Sequence, residues 1–295
     1  MSKDIENGIK LALVQNEKQY DIVLEHCSLK KYTDVDSYIV NLFKKLNTNK
    51  KFKNRDAISE ALIYSVKKLQ EVNISDIYHH LVYRTYCREY NASNPKQSWA
   101  RAGGEAMEIF IKKSYASYLK EHGIYIYLAF EESENKFLID MELNTLVAGK
   151  SKLDIGLYGD INGALVPFGG IHSKASLAER VSDDKPCSEI MMKNGFFSYL
   201  LTFDAKSFPP PVGNLINKGE LGSVQNPSDK RNYIEEHGYF SACFSYNKRT
   251  IPSLDRTNSG KKIFVVNKIE KNDDFLQKVV SDWNTFKKKR HNSLA

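Results

Sequence analysis

The chain has 295 residues, which allows one large domain or two modest ones at about 150 residues per domain. Hydrophobic residues make up 41% and charged residues 27%, so the chain can fill a core and is not compositionally disordered. Its net charge of +7, from 43 Lys and Arg against 36 Asp and Glu, suits a polyanionic partner such as nucleic acid. No apolar run approaches the roughly 18 residues of a membrane span, and the N-terminus lacks a secretory signal pattern. These features exclude an integral membrane protein and argue against a secreted one.

The cysteines indicate a reducing compartment. Cys27, Cys87, Cys187 and Cys243 are scattered, without a C-x-x-C pair and without histidines at zinc-finger spacing. This usage is typical of a chain with neither structural zinc nor a disulfide framework. We therefore expect a cytoplasmic protein.

The N-terminal third has the periodicity of helices. Apolar residues recur three and four positions apart, which predicts a helical N-terminal region over residues 1–95 and a separate core over 96–295. The predicted N-terminal helices cover residues 5–23, 34–46, 55–69 and 75–90. Lysines and asparagines dominate residues 44–53, which predicts a solvated connector, with a phosphate contact as the alternative.

The remainder alternates helix and strand patterns. A long helix is predicted over 97–123, ending at Gly123, and another over 275–288. Ser176 and Glu179 have the spacing of a capping box, which predicts a helix start that Pro186 then interrupts. Strands are predicted at 124–130, 137–141, 152–158, 164–174, 196–203 and 262–266, with a turn at 160–163. This order predicts an α/β or α+β fold, a central mixed sheet flanked by helices.

An acidic residue and a lysine mark two of these strands. Asp154 lies in an apolar run, where a buried carboxylate needs a cation or a hydrogen bond to compensate it. Lys174 ends the next strand, and a hairpin would bring the two side chains together. A carboxylate that holds a divalent cation and a lysine that orients or deprotonates water are the groups that phosphodiester hydrolysis requires. A buried structural ion pair is the alternative interpretation.

The residue that supplies the second acid of such a site is not determined by these patterns. The common nuclease pattern has Glu or Asp two positions before the lysine, where this chain has His172. A neutral imidazole suits zinc or copper better than magnesium, so we expect the acid to come from elsewhere. Each candidate, taken singly, is also explained as a solvated acid. The candidates are Glu105, Glu108, Asp183, Asp184 and Glu189.

Glu179 and Arg180 form a pair suited to reading bases. An arginine at a helix start is poorly placed for the helix dipole, but its guanidinium can reach guanine O6 and N7 while the glutamate accepts from a cytosine amino group. The alternatives are a capping box for Glu179 and an ordinary surface charge for Arg180. A polar, basic cluster at 228–233 either contacts phosphates or faces water.

At this point the chain resembles a known family. The segment 169–184, with the sequence GGIHSKASLAERVSDD, is similar to the core of type II restriction endonucleases that cut sites containing CCGG. Matching stretches at 97–108, 203–211, 227–234 and 240–247 extend the resemblance over most of residues 55–250. Two departures from the general nuclease pattern are the absence of a proline before Asp154 and the histidine at position 172.

The resemblance implies a PD-(D/E)xK nuclease fold, dependence on Mg²⁺ and double-stranded DNA as substrate. Asp154 would be the metal-binding acid, Lys174 the catalytic lysine, and Glu108 a catalytic acid that also binds metal. Members of the CCGG group use a displaced acid on the helix after the lysine. Near the expected offset this chain has Ser188, preceded by Asp184 and followed by Glu189. Asp184 is our first choice as the further metal ligand.

The same resemblance assigns DNA contacts. Glu179 and Arg180 would read the C·G pairs, and Arg101 and Asp183 would be further DNA-binding residues. We therefore predict a type II restriction endonuclease that cuts both strands at a palindromic CCGG-core site, with ACCGGT as the first guess, leaving 5′-phosphates. A homodimer on DNA and a cognate DNA methyltransferase are the expected partners.

Two other classes of function remain as rivals. One is a sequence-specific DNA-binding protein with an inactive nuclease fold, which would have no use for a buried Asp154 and Lys174 together. The other is an RNA- or damage-directed nuclease of the same fold, which would cut without a palindrome. A Cys–His hydrolase is remote, because no cysteine has a recognisable nucleophile context.

Overall fold

The computed structural model describes residues 2–15, 18–147, 153–178, 181–205 and 216–294. Its N-terminal part begins with a three-stranded antiparallel sheet, β1 (Lys3–Ile5), β2 (Gly8–Gln15) and β3 (Lys18–Glu25). The prediction of a helix over 5–23 was therefore wrong. Ile9 pairs with Leu24 and Leu11 with Ile22, and all four are buried, so the apolar side chains alternate with the period of two of a strand.

The predicted helices that follow are confirmed. They are α1 (Leu29–Thr48), α2 (Asn54–Lys68), and a continuous helical segment made of α3 (Ile74–Asp76), a π-helix (Ile77–Tyr83) and α4 (Arg84–Glu89). The predicted connector over 44–53 is shorter in the structure, because residues 44–48 belong to α1. Residues 49–53 connect α1 to α2, and Lys50, Lys51 and Lys53 are exposed there.

A six-stranded mixed sheet forms the centre of the fold. Its order is β4 (Ile124–Leu128), β5 (Ile155–Ile161), β6 (Ala164–Lys174), β7 (Phe197–Thr202), β8 (Ala242–Ser245) and β9 (Ile263–Val265). The pairs β4/β5 and β5/β6 are antiparallel, and β6/β7, β7/β8 and β8/β9 are parallel. This is the mixed sheet that the sequence predicted.

Helices flank this sheet. The long α5 (Pro95–Lys120) leads into β4, a 3-10 turn (Ala129–Glu131) and α6 (Lys136–Asp140) precede β5, and α7 (Val181–Lys193) joins β6 to β7. The remaining helices are α8 (Asp229–Glu235) and α9 (Asp274–Leu294). One hydrophobic cluster runs from Ile9 through Met107 to Trp283, so residues on both sides of position 95 share a core. The division at residue 95 stays a prediction.

Two local predictions were wrong. Residues 137–141 belong mostly to helix α6 instead of a strand, because a short apolar run fits either element. Phe137 seats this helix against β5 at Gly156, where a Cβ would lie 2.6 Å from the ring. Pro186 lies inside α7 and does not interrupt it, since the burial of Cys187 and Met191 carries the helix past the missing hydrogen bond.

The β5–β6 hairpin brings Asp154 and Lys174 together. Its two-residue turn at Asn162 and Gly163 has φ of 54° and 85°, the left-handed pair of a type I′ turn. Ile155 pairs with Ile171, and Asp154 directly precedes β5 while Lys174 ends β6. The parallel neighbour β7 ends at Thr202 beside Lys174, so this edge is where the carboxyl ends of the parallel strands meet. Among the described residues, no helix has the length and apolar character needed to cross a membrane.

Candidate active site

A cleft of about 1160 Å³ opens at this edge of the sheet. The N-terminal half of α5 and the π-helix form one wall, and the ends of β5 and β6 form the other. Glu108, Asp154 and Lys174 all line it, as does Arg101. The cleft therefore gathers the three residues predicted to be catalytic.

The ammonium of Lys174 lies between two carboxylates. Lys174 Nζ is 3.2 Å from Asp154 Oδ2 and 3.0 Å from Asp184 Oδ2. Asp154 Oδ2 also accepts a hydrogen bond of 2.7 Å from the backbone N–H of Ser173. Burial lowers the pKa of Lys174, but the two aspartates outweigh it and raise the pKa above its ordinary value. The side chain therefore stays an ammonium at neutral pH.

Glu108 faces this group from α5. Its pKa is raised to about 9, first by burial and then by the negative charges of Asp154 and Glu105, while the positive charges of Lys174 and Arg55 oppose this shift. A carboxyl group in a cleft with so strongly raised a pKa is an indicator of a functional site.

Glu105 lies one turn before Glu108 and is held by two arginines. Arg55 Nη1 is 2.9 Å from Glu105 Oε2, and Arg101 Nε is 3.1 Å from Glu105 Oε1. The guanidinium of Arg55 also lies 4.0 Å from the ring centroid of Phe130. Glu105 is thus engaged in ion pairs and does not line the cleft.

The donor set of the cleft fits a hard divalent cation. Three carboxyl groups, those of Glu108 and Asp154 in the cleft and that of Asp184 behind Lys174, lie around the ammonium of Lys174, and a cation would offset their charge when all three are ionised. The hydrogen bonds of Asp154 with Ser173 and Lys174 both use Oδ2, which leaves Oδ1 for another ligand. Among the described residues, no three acidic, His or Cys side chains are close enough to one another to form a complete metal site.

The other predicted site residues lie in different surroundings. Asp184 is 1% exposed and lies behind Lys174, away from the cleft lining. Asp183 is exposed in the first turn of α7, and the side chain of Arg101 is 89% exposed at the cleft. Glu179 and Arg180 lie outside the described residues.

Three further positions were considered for the second acid: Glu189, and the two where related nucleases have an acid, Ser188 and His172. Glu189 is half-buried and 4.0 Å from Lys193 on the surface of α7. Ser188, at the offset where the CCGG group has an acid, is buried and has its hydroxyl 2.6 Å from the carbonyl of Tyr239. His172 is fully buried, and its Nε2 lies 3.1 Å from Ser198 Oγ.

One wall of the cleft is aromatic, and no sequence pattern predicted it. Tyr78, His79, Tyr83 and Trp99 line it, and the ring of His79 stacks on Tyr83 with centroids 5.4 Å apart. The first three lie on the π-helix, an irregularity that is frequent at functional sites. Helical periodicity does not distinguish a π-helix from an α-helix, so only the density of aromatic residues at 78–90 could have drawn attention to them.

Comparison with known proteins identifies the family. A family model described as BsaWI restriction endonuclease type 2 matches residues 129–272. The type II restriction enzyme AgeI of Thalassovita gelatinovora is 44% identical over 267 residues, which cover 88% of this chain and 94% of AgeI. The crystal structure of a specific AgeI–DNA complex matches with a TM-score of 0.87 and 41% identity, covering 92% of this chain and 99% of that one. Because AgeI is 44% identical over 88% of this chain and its structure matches over 92%, the chain belongs to the type II restriction endonucleases.

Proposed function

We propose that this enzyme hydrolyses both strands of double-stranded DNA at a palindromic site with a CCGG core, in a Mg²⁺-dependent reaction that leaves 5′-phosphates. The observation that carries the proposal is the cluster of Glu108, Asp154 and Lys174 in one cleft, with the lysine 3.2 Å from the aspartate. The similarity to AgeI, which was crystallised in complex with DNA, supports the substrate class and makes ACCGGT the first sequence to test.

Asp154 and Glu108 are the residues that would hold the metal ion. Bound Mg²⁺ would offset charge on the non-bridging phosphate oxygens and lower the pKa of the attacking water. Burial favours the protonated form of Glu108, and a nearby divalent cation would favour the ionised form, so this carboxyl group is suited to hold the ion.

Lys174 would act as a cation. Its pKa is raised by Asp154 and Asp184, so it stays protonated and is a poor general base. Of the two roles left open by the sequence, orienting the water and stabilising charge on the phosphate is therefore the one we assign to it. The raised pKa argues against deprotonation of the water by this side chain.

Sequence recognition is assigned to the residue types that match the edges of C·G pairs. We assign Glu179 and Arg180 to the C·G pairs, because a glutamate and an arginine match the cytosine amino group and the guanine O6 and N7. Arg101 and Asp183 are the further proposed DNA-binding residues, and both are exposed near the cleft or at the start of α7.

The proposed partners are a second copy of this chain and a DNA methyltransferase. A palindrome has two-fold symmetry, so two copies of this chain bound to DNA would place one cleft on each strand. A methyltransferase that modifies the same site would protect the host DNA. We place the system in the cytoplasm, since all four cysteines are free thiols.

A digestion experiment tests this proposal. Purified protein and Mg²⁺ are incubated with DNA of known sequence, and the ends are mapped and tested for 5′-phosphate by direct ligation. Asp154→Asn, which keeps the shape of the side chain, is the matched control. We expect discrete fragments ending at one CCGG-containing palindrome, lost with the variant and in EDTA.

Each other outcome has a definite meaning. Intact DNA together with tight sequence-specific binding would replace the nuclease by a DNA-binding protein with an inactive fold. Cleavage without a palindrome would refute the recognition site. Normal cleavage by Asp154→Asn would remove that residue from the mechanism.

A further inference from the structure

A short segment leads from the end of β6 along the wall of the cleft. It consists of residues 175–178, directly after Lys174, and we refer to it as the post-lysine segment. All of its residues except Leu177 line the cleft, and Leu177 is fully buried in a small hydrophobic cluster with Leu221. The segment belongs to neither β6 nor α7, so no strand ladder or helix holds its backbone.

One carboxylate oxygen of Glu220 holds the post-lysine segment. Glu220 Oε1 accepts a hydrogen bond of 2.6 Å from the hydroxyl of Ser176 and another of 2.9 Å from the backbone N–H of Leu177. The hydroxyl of Ser176 in turn accepts from the backbone N–H of Ala178, at 3.3 Å. Three consecutive residues are thus tied, directly or through one hydroxyl, to a single acceptor.

Glu220 is itself anchored near the carboxyl ends of the parallel strands. Its backbone N–H donates to Asp204 Oδ1 at 2.6 Å, and Asp204 Oδ2 accepts from the hydroxyl of Thr250 at 2.6 Å. Asp204 is fully buried two residues after β7, and it can approach because position 219 is Gly219, where a Cβ would collide with its carboxylate. The side chain of Glu220 is only 11% exposed, and its second oxygen lies 3.6 Å from Lys230 Nζ. Both ends of Glu220 are therefore fixed.

We infer that Glu220 is a positioning residue for sequence recognition, because it fixes the post-lysine segment in the wall of the cleft. In the sequence this segment joins Lys174 to Glu179 and Arg180. The inference rests on the proposed function, which assigns Glu179 and Arg180 to the C·G pairs. Contacts to base edges depend on the placement of the backbone that carries them. Glu220 lies outside the cleft lining, so it acts through the segment and not on DNA.

The inference also accounts for Ser176, which the sequence predicted at a helix start. That prediction was wrong, because Leu177 and Ala178 are not helical and the described part of α7 begins at Val181. The hydroxyl of Ser176 is instead shared between Glu220 and the N–H of Ala178. The partner of this serine lies 44 positions away in the chain, so local spacing could not reveal it.

Glu220→Ala tests the inference, with Asp273→Ala as matched control. Asp273 is 7% exposed, and its Oδ1 accepts a hydrogen bond of 2.9 Å from the backbone N–H of the buried Leu276. It directly precedes α9, outside the cleft lining. Both variants remove a largely buried carboxylate that accepts from the N–H of a buried leucine, so they share the general cost of that loss. Glu220→Gln, which keeps an acceptor oxygen, is the conservative variant.

Three quantities are measured on each variant. They are the melting temperature, the affinities for a cognate and an unrelated duplex in EDTA, and the hydrogen–deuterium exchange of peptides that cover residues 175–178 in the free protein. For Glu220→Ala we expect the cognate affinity to fall about 10-fold, the size of one bidentate base contact, with the affinity for the unrelated duplex unchanged. We expect faster exchange at 175–178, because the N–H of Leu177 loses its acceptor.

The other two variants separate positioning from folding and from charge. Asp273→Ala is expected to lower the melting temperature while leaving the cognate affinity and the exchange at 175–178 as in the parent. Glu220→Gln is expected to stay close to the parent in both, because its amide oxygen can still accept two hydrogen bonds. Equal losses of affinity for both duplexes in Glu220→Ala would overturn the inference. So would a glutamine variant as weak as the alanine one, or a cognate-specific loss of the same size in Asp273→Ala.

Two provisions keep the test decisive. If the parent does not cut at a CCGG palindrome, the proposed function fails, but the exchange at 175–178 still decides whether Glu220 holds the post-lysine segment. If Glu220→Ala does not fold, Ser176→Ala removes one of the two hydrogen bonds to Glu220 with a smaller change. Cognate affinity and exchange that are both unaffected by Ser176→Ala would then overturn the inference.

Discussion

Two groups of buried charges in this enzyme are balanced in different ways. The cleft cluster consists of Glu108, Asp154, Lys174 and Asp184. The Arg231 cluster consists of Arg231 and Glu235 of α8 with the backbone carbonyls that they contact. In the cleft cluster carboxyl groups outnumber the ammonium, whereas the Arg231 cluster pairs one cation with one anion.

In the Arg231 cluster every nitrogen of the guanidinium has an internal hydrogen-bond partner. Arg231 is fully buried, its Nη1 is 2.6 Å from Glu235 Oε1, and its Nε donates to the carbonyl of Leu221 at 3.2 Å. Its Nη2 donates to the carbonyls of Gly222 and Ile251. These bonds join the loops at 221–222 and 251 to helix α8.

The comparison shows which feature separates a reactive site from a structural one. Burial alone does not, because the Arg231 cluster is the more buried of the two. The cleft cluster differs by its unbalanced charge and by its contact with open space. Burial of the Glu108 carboxyl group, followed by the negative charges of Asp154 and Glu105, raises its pKa to about 9. Substitutions in the two clusters should therefore affect different properties.

Arg231→Met should have the largest effect on stability. It leaves Glu235 and three carbonyl groups without their buried partner, which typically costs about 3–5 kcal/mol. Urea unfolding measures this loss, and the folded fraction should cleave DNA at the parent rate. Lys230→Met is the control, since its partly exposed pair with Glu220, 3.6 Å long, is worth less than about 1 kcal/mol. Equal losses for the two variants would contradict the structural role of Arg231.

Glu108→Gln should change folding stability less than Arg231→Met does, and it should raise the stability instead of lowering it. The folded pKa of about 9 lies above the ordinary value of 4.5, so the unfolded chain loses this proton first as the pH rises. Folding stability therefore falls between about pH 4.5 and 9 in the parent. The glutamine variant lacks this dependence and should be more stable at pH 8 by about 0.5–2 kcal/mol, although inactive.

Denaturant titrations in EDTA at pH 4 and pH 8 measure that difference. The two proteins should have equal stability at pH 4, where Glu108 is protonated in both states. Glu6→Gln, at an exposed glutamate, is expected to change stability at neither pH. A Glu108→Gln variant less stable than the parent at pH 8 would show that the positive and negative charges of the cleft cluster are balanced in the parent.

The sequence predicted the cleft cluster better than the surrounding fold. Asp154 and Lys174 could be paired in advance because a tight turn between two strands determines which residues meet, and the structure confirms the pairing. The helix at 5–23 failed because residues four apart, such as Ile5 and Ile9, satisfy a helical and a strand period alike. Only the partner strand β3 decides between them.

The Arg231 cluster could not be predicted for a different reason. Its surroundings in the sequence, residues 228–233, are polar and basic, so the prediction offered only a phosphate contact or exposure to water. Both were wrong for Arg231, because its partners at Leu221, Gly222 and Ile251 come from distant loops. Compensation by backbone carbonyls leaves no signal in side-chain composition.

Arg101→Ala should have the smallest effect, and it tests where the cleft meets the substrate. Arg101 Nε is 3.1 Å from Glu105 Oε1, but its side chain is 89% exposed, so it contributes little to either buried cluster. As a phosphate contact, its loss should weaken binding to all DNA sequences by less than about 1 kcal/mol and reduce the slope of log K against log salt by about 1. Titrations of cognate and unrelated duplexes over a range of NaCl concentrations in EDTA measure both quantities.

Lys289→Ala controls for the change in net charge. Lys289 is exposed on α9, outside the cleft lining. Its substitution by alanine removes one positive charge, as Arg101→Ala does. Equal effects of the two variants would mean that only net charge matters and that Arg101 makes no contact. A loss of about 1–3 kcal/mol confined to the cognate duplex would instead make Arg101 a reader of bases. Because Arg101 lies on the helix that also carries Glu108, a salt slope reduced by Arg101→Ala alone would place the DNA backbone along α5 and over the cleft cluster.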